Sequence, residues 1–196
     1  MISEIVKHSP YPITCKIRLG WDDKNINFLQ IIGVLEEIGV KAIALHVRTA
    51  KQLYSGKPRY ELVKDLRKKM NIPLIISGDI YTLDDAINAL DITKADAVMV
   101  ARGGIGNPFL IKQIDEYYKS GVRLENPSLE EQKEWCIKLA EMMVEEYGED
   151  KAFRIFRTIG PRFFNGYSNS KQIKTKITLG VSCLNELKNI LSEYIG

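Results

Sequence analysis

The sequence predicts an α/β region followed by a small all-helical domain, and three observations carry that expectation. Four short, largely apolar runs, ITCKIRL (13–19), AIALHV (42–47), PLIISG (73–78) and AVMVAR (97–102), are each followed by a stretch with helical apolar spacing. Short apolar strands between amphipathic helices indicate a parallel sheet covered by helices. After Glu125-Asn126-Pro127 no further strand candidate occurs, and helical patterns alone continue to the end.

Each element has its own warrant. ITCKIRL reads as the first strand, and INFLQIIGVLEEIGV (26–40) carries helical spacing that ends near a glycine. AIALHV is the second strand, with a helix expected over RYELVKDLRKKM (59–70). PLIISG is the third, followed by TLDDAINAL (82–90) with Thr82 placed as N-cap. AVMVAR is the fourth, followed by a glycine loop and PFLIKQIDEYYKS (108–120), with Pro108 in the first helical turn. Two architectures fit four βα repeats: an open doubly wound sheet and part of a (β/α)8 barrel. Beyond a boundary near 121–128, SLEEQKEWCIKLAEMMVEEYG (128–148) opens with Ser128 and Glu131 spaced as a capping box. Helices are then expected over about 150–165, 169–179 and 182–194, with breaks at Gly148, Gly166 and Gly180. The domains are read as 1–124 and 125–196.

Composition narrows the classes. With 45% hydrophobic and 27% charged residues, the 196-residue chain has an ordinary globular balance rather than that of a disordered one. No apolar run approaches the ~18 residues of a membrane span, and MISEIVKHSPYP lacks the apolar core of a signal peptide, so a cytoplasmic location is expected. Cys15, Cys136 and Cys183 are widely spaced and form no CxxC pair, which fits reduced thiols. With His8 and His46 as the two histidines, no metal site is expected.

The polar residues on the strands fall in a pattern. Lys16 and Arg18 share one face of the first strand, and Cys15 and Ile17 share the other. His46 and Arg48 end the second strand, Ser77, Gly78 and Asp79 the third, and Arg102-Gly103-Gly104 the fourth. Both candidate architectures place their sites at such carboxyl ends. Cys15 sits beside cations in sequence, which would activate a thiol, yet Lys16 faces the opposite way. Cys15 is therefore expected in the core under a helix, with the chemistry on the side of Lys16. The glycines of ARGGIGNPF precede a helix and can let backbone N–H groups approach a phosphate, with Arg102 as a further contact. No Gly-x-Gly-x-x-Gly fingerprint is present, which disfavours a dinucleotide site of the Rossmann kind.

The second region carries a charge excess. Lys151, Arg154, Arg157, Arg162, Lys171, Lys174 and Lys176 fall within 26 residues that hold no acid. The chain is +3 overall, so without these seven the rest is −4. Over 152–159 a helix would put Ala152, Ile155, Phe156 and Ile159 on one arc, Phe153 at its margin, and Arg154 and Arg157 on the opposite flank. Basic residues interleaved with Phe163, Phe164 and Tyr167 suit RNA-backbone contact plus stacking.

The ordered set KIRLGWDD, HVRTAKQLYSG, IPLIISGDI and DAVMVARGGIGNPF resembles the tRNA dihydrouridine synthases. The resemblance spans nearly the whole chain. It implies that residues 1–124 are the last four βα units of a (β/α)8 TIM barrel and that 125–196 form a helical tRNA-binding domain. It further implies FMN as cofactor, NADPH as reductant, and reduction of uridine to 5,6-dihydrouridine in tRNA. On this resemblance Lys16 meets the pyrimidine edge of the flavin, where a cation stabilises negative charge on the reduced ring, and His46 lies near flavin and substrate base. Ser77-Gly78-Asp79 and Ala101-Arg102, with Gly103, line the ribityl and phosphate. Arg48, of the His-x-Arg-Thr motif, meets RNA, as do Arg154, Arg157 and Arg162 of RIFRTIGPRFFNG (154–166).

Departures from the family pattern are Ser77 for asparagine, Ala101 for glycine and Val47 for glycine. The catalytic cysteine, which protonates the uracil carbon, is expected in an N-terminal half barrel outside this chain. The chain is thus expected to be a fragment, a truncated product, or one half that pairs with a complementary half-barrel chain. The competing functions are another FMN-dependent TIM-barrel oxidoreductase acting on a small molecule, and a non-catalytic RNA-binding remnant.

Overall fold

Residues 1–195 are described by a computed structural model, in which the chain divides into two compact units, Met1–Arg102 and the residues from Gly103 onward.

The first unit is built on a parallel sheet of β1 (Thr14–Arg18), β2 (Ala42–His46), β3 (Leu74–Ser77) and β4 (Ala97–Val98), hydrogen-bonded in that order. Strand order follows chain order without reversal, so these four strands contain no topological switch point of the doubly wound kind. β4 is shorter than AVMVAR suggested: after Val98 one more ladder bond runs from the Met99 N–H to the Ile76 carbonyl (2.8 Å), and the chain bends into the 3₁₀ turn Arg102–Gly104.

The register sorts the two faces. Cys15, Ile43 and Leu74 lie abreast, as do Ile17, Leu45, Ile76 and Val98. On this side Ile43, Leu45, Leu74 and Ile76 are fully buried. The helices α2 (Phe28–Ile38) and α3 (Leu83–Thr93) contact the sheet, and each buries its own apolar stripe, including Phe28, Ile32 and Leu35 on α2 and Ala86, Ala89 and Leu90 on α3. Cys15 is on this face, as its spacing implied, but half-buried rather than in the core. The other face carries Lys16, Ala44, Ile75 and Ala97 in one row and Arg18, His46 and Ser77 in the next. Lys16 and Ala97 are exposed.

Local chemistry sets the helix ends. Thr82 accepts a hydrogen bond from the Asp85 N–H (3.1 Å) while the Asp85 carboxylate accepts from the Thr82 N–H (2.9 Å), a reciprocal cap on α3. Gly39 ends α2 in a left-handed conformation (φ 97°). The helix expected over 59–70 is instead two 3₁₀ turns, Tyr60–Val63 and Leu66–Lys69. Asp65 breaks it: its backbone is left-handed (φ 53°), and its N–H donates to the Ile92 carbonyl (3.1 Å) rather than back along a helix. A short helix, α1 (Ile2–His8), precedes the sheet and buries none of its residues.

The second unit is helical: α4 (Phe109–Ser120), α5 (Leu129–Tyr147), α6 (Glu149–Ile159), a 3₁₀ turn over Gly160–Phe164, α7 (Ser170–Gly180) and α8 (Leu184–Ser192). Ser128 and Glu131 form the expected capping box at the start of α5. Its core gathers Cys136, Ala140, Phe153, Phe156, Phe163, Phe164, Ile173, Ile177, Leu187 and Leu191. Two sequence expectations shift here. Phe153, assigned to the margin of the α6 arc, is central and 1% exposed, whereas Ile155 is 38% exposed. The residue that completes the buried stripe is Gly160, against which the Phe156 ring lies so closely that a Cβ would stand 2.5 Å from it.

Among the described residues no helix is long and apolar enough to cross a membrane.

Candidate functional site

Four strand ends of the first unit bring cations together. Lys16 and Arg18 leave β1 on the same face, one register step apart, and Arg18 pairs laterally with His46. Arg18 is held by donating from Nη1 to the Thr49 carbonyl (2.8 Å) and the Leu53 carbonyl (3.2 Å). Desolvation lowers the Lys16 ammonium below its ordinary value, and nearby Arg18 adds to this. His46 is buried, at 7% exposure. Burial first, and then the charges of Arg18, Lys16 and Arg48, push its pKa down to about 4. The imidazole is therefore neutral near pH 7, one nitrogen donating and the other accepting.

Asp79 answers these cations. It follows Gly78, whose added Cβ would meet Val47 Cγ2 at 3.0 Å and Pro58 Cβ at 3.1 Å, so the turn after β3 lies tight against the loop after β2. The Tyr60 hydroxyl donates to the Gly78 carbonyl. Asp79 itself takes a left-handed conformation (φ 45°), a small cost that short polar side chains bear best. Its carboxylate accepts from Arg48 twice, Nη1 to Oδ1 (2.8 Å) and Nη2 to Oδ2 (2.5 Å), and from Arg102 Nη2 to Oδ1 (2.7 Å). The Arg48 fork holds the Asp79 carboxyl below the usual carboxylate range, and Asp79 raises Arg48 in turn.

Arg48, expected at RNA, is 1% exposed and also donates to the Gly56 carbonyl (2.6 Å). Its Nε is buried without a hydrogen-bond partner. Arg102 is the more open arginine, with a side chain 39% exposed. Its guanidinium carbon stands 4.3 Å from the centroid of the Tyr54 ring and 5.7 Å from that of Tyr81. Ser77 is buried at the end of β3 and Ala101 is exposed. Lys16, His46, Ser77, Gly78, Asp79, Ala101 and Arg102 thus all belong to the first unit, whereas Gly103 is buried at the start of the second.

Sequence reading left Arg18 and Tyr54 without a site role. Arg18 was legible from its period-two relation to Lys16. Tyr54 was not, because its place depends on the loop after β2, where Leu53 is left-handed (φ 50°) and the Tyr54 ring stands 6.4 Å from the His46 ring.

The arrangement offers cations and open hydrogen-bond donors to an anionic group. Arg102 uses one donor on Asp79 and has others for an anion. Lys16, exposed on this face of β1, can offset negative charge on a bound group. Within the first unit the one cysteine, Cys15, lies on the opposite face of β1; in the helical unit Cys136 is fully buried, its thiol pushed up to about 12 by burial.

In the helical unit, Arg154 and Arg162 are exposed and Arg157 is half-buried, its Nε donating to the Val181 carbonyl (2.8 Å). The stacking expected of Phe163 and Phe164 is overturned: they are 4% and 0% exposed, because the turn Gly160–Phe164 folds both rings into the core. Tyr167 is half-buried and donates to the Pro127 carbonyl (2.6 Å). The glycine loop also has a structural reason at Gly106. It is left-handed (φ 78°), and a Cβ there would stand 2.5 Å from the Arg162 carbonyl carbon.

Comparison with known proteins closes on the same group. A probable tRNA-dihydrouridine synthase of Rickettsia bellii is 36% identical over 174 residues, 89% of this chain and 53% of that protein. The tRNA-dihydrouridine synthase B of Pasteurella multocida is 34% identical over 157 residues, 80% of this chain and 47% of that protein. A probable tRNA-dihydrouridine synthase 1 of Synechocystis is 33% identical over 154 residues, 79% and 43% of the two chains. The chain spans about half the length of the curated relatives it matches. The family described as dihydrouridine synthase (Dus) matches residues 1–194, and the chain belongs to that family.

Proposed function

We propose that this chain is the flavin-holding and RNA-docking portion of a tRNA-dihydrouridine synthase, with FMN as cofactor, NADPH as reductant and tRNA as substrate. The observation that carries the reading is the clasp of Arg48 and Arg102 on Asp79 beyond the carboxyl ends of the strands, with His46 in register with Arg18 at the end of β1 and Lys16 one step back on the same face. The sequential strand order supports assigning residues 1–124 to part of a (β/α)8 barrel, with 125–196 as a helical tRNA-binding domain.

In this reading Arg102, with the backbone of Ala101 and Gly103, takes the FMN phosphate, and Ser77 and Gly78 flank the ribityl chain. Lys16 faces the pyrimidine edge, and neutral His46 exchanges hydrogen bonds with the ring or the substrate base. When bound, FMN supplies the hydride for the uridine C5–C6 double bond. The face occupied by Cys15 and the buried, high-pKa thiol of Cys136 speak against either as the proton donor. A complementary half-barrel chain would bring that donor, extend β1 at its free edge and cover the face that carries Lys16. Arg154, Arg157 and Arg162 contact the tRNA backbone, and the enzyme works in the cytoplasm.

Titrating the purified chain with FMN, read by flavin absorbance and fluorescence, tests the cofactor half of the reading. Reduction of unmodified tRNA with NADPH is then assayed. The expected result is flavin binding with little turnover by the chain alone. Failure to hold FMN, with tRNA binding intact, would leave an RNA-binding remnant as the function. Robust turnover by the chain alone would overturn the need for a complementary half.

A further inference from the structure

The clasp on Asp79 has a geometry that a plain ligand contact does not need. Both carboxylate oxygens are occupied, by Arg48 on two sides and by Arg102 on one. Arg48 is 1% exposed and tied to the Gly56 carbonyl as well, so it is an anchor rather than a surface cation. Arg102 is the more exposed partner: a long side chain, 39% exposed, that meets one Asp79 oxygen and the face of Tyr54. The carboxylate is itself aimed by a left-handed backbone at φ 45°.

Charge adds a second reason for two arginines. Asp79 beside Arg102 alone would sum to zero and offer an anion little attraction. With Arg48 present, the three charged groups sum to one positive charge, and that charge resides on the arginine with donors to spare.

We infer that Asp79 is a positioning residue rather than a flavin ligand, holding Arg102 in register for a phosphate monoester while buried Arg48 fixes the carboxylate and offsets its charge. The inference rests on the proposed flavin site and deepens it. Arg48 thereby acts through Asp79, and its conformity to an RNA-facing motif is incidental to its work here.

The double variant Arg48→Met with Asp79→Asn tests this, because it removes the clasp and leaves the local net charge unchanged. A buried ion pair replaced on both sides at once is often tolerated. Binding of FMN and of riboflavin, which lacks the phosphate, is measured by fluorescence on the full chain. The clasp predicts that the double variant loses about tenfold in FMN affinity, the scale of one oriented charge-assisted contact, with riboflavin unchanged. An unchanged ratio of the two affinities would overturn the inference, and so would equal losses for both ligands, which would mean general support of the turn.

Arg48→Lys, which keeps charge and bulk but loses the fork, serves if the double variant does not fold. It should lose about threefold for FMN alone, a fraction of one bidentate contact, and no selective loss overturns the clasp. A third arm uses inorganic phosphate at constant ionic strength and reads thermal stability. Phosphate should protect the wild-type chain and protect either variant less. If neither flavin binds, the flavin reading fails while the phosphate arm still decides the clasp. If wild type shows neither phosphate protection nor preference for FMN, the clasp does not present an anion.

Discussion

The two units use burial for opposite ends. In the helical unit the fully buried side chains are apolar and aromatic, with Phe153 and Phe156 in edge contact at 5.5 Å and Phe164 and Tyr194 at 5.6 Å. Arg154 and Arg162 stay on its surface, while Lys133 is buried and paired with Glu130. In the sheet unit one face is equally dry, but the strand ends bury Arg48, His46 and Ser77. Core aromatics stabilise by area and fit, and tolerate little change in volume. Buried polar groups add little net stability and are worth retaining for the geometry they impose. Under the proposed function, the helical unit would act through what its core leaves outside, whereas the sheet unit would act through what is inside.

Phe156→Ala is the largest expected break of that contrast. It should cost about 3–5 kcal/mol, as for other buried Phe truncations, and lower hydrogen-exchange protection across α5 to α8 while β1 to β3 keep theirs. Equal losses in both would show that the two units unfold as one. Gly106→Ala comes next, at about 2–3 kcal/mol, from left-handed strain plus a Cβ forced on the Arg162 backbone. Urea denaturation measures it. If it proves harmless, the glycine loop does not lie against Arg162 and Phe163 as described.

The sheet unit should respond to pH instead. His46 has a folded pKa of about 4 against 6.5 unfolded. Between these values the unfolded chain binds a proton that the folded chain does not, so stability falls as pH drops through that window. The loss should be on the order of 1–3 kcal/mol by pH 4, and His46→Gln should remove this dependence. A smaller effect, about 1 kcal/mol, is expected from Thr82→Ala, which opens the α3 cap. Smallest for stability is Arg154→Ala, within about 0.5 kcal/mol. Its tRNA affinity should nonetheless fall and the salt slope flatten by about 0.7. An unchanged slope would make that surface merely solvated.

Much of this was legible from residue spacing. Period two on β1 separated Lys16 and Arg18 from Cys15, and the capping pairs at Thr82 and Ser128 marked two helix starts. The strand ends supplied nearly all the residues of the candidate site. What spacing could not see was competition from distant groups. Asp65 follows a helical pattern but gives its N–H to Ile92, and Phe163 and Phe164 look like an RNA-stacking pair until a 3₁₀ turn folds them inward. Arg48 is the sharpest instance. Its motif position suggested a surface contact, and only the Asp79 turn 31 residues away explains why it is buried.

The sheet face bearing Lys16, Arg18 and His46 has a further consequence for how molecules of this protein meet one another. A bare, greasy sheet would stick to its own copies. Here each copy would bring the cations Lys16 and Arg18 to the encounter, so like charge keeps the faces apart in dilute buffer. That repulsion fades within ~10 Å at 0.1 M salt, so high ionic strength or a bridging polyanion should draw copies together that low salt keeps dispersed. The cations assigned to ligand binding in the proposed function would thus also act as the face's colloidal guard.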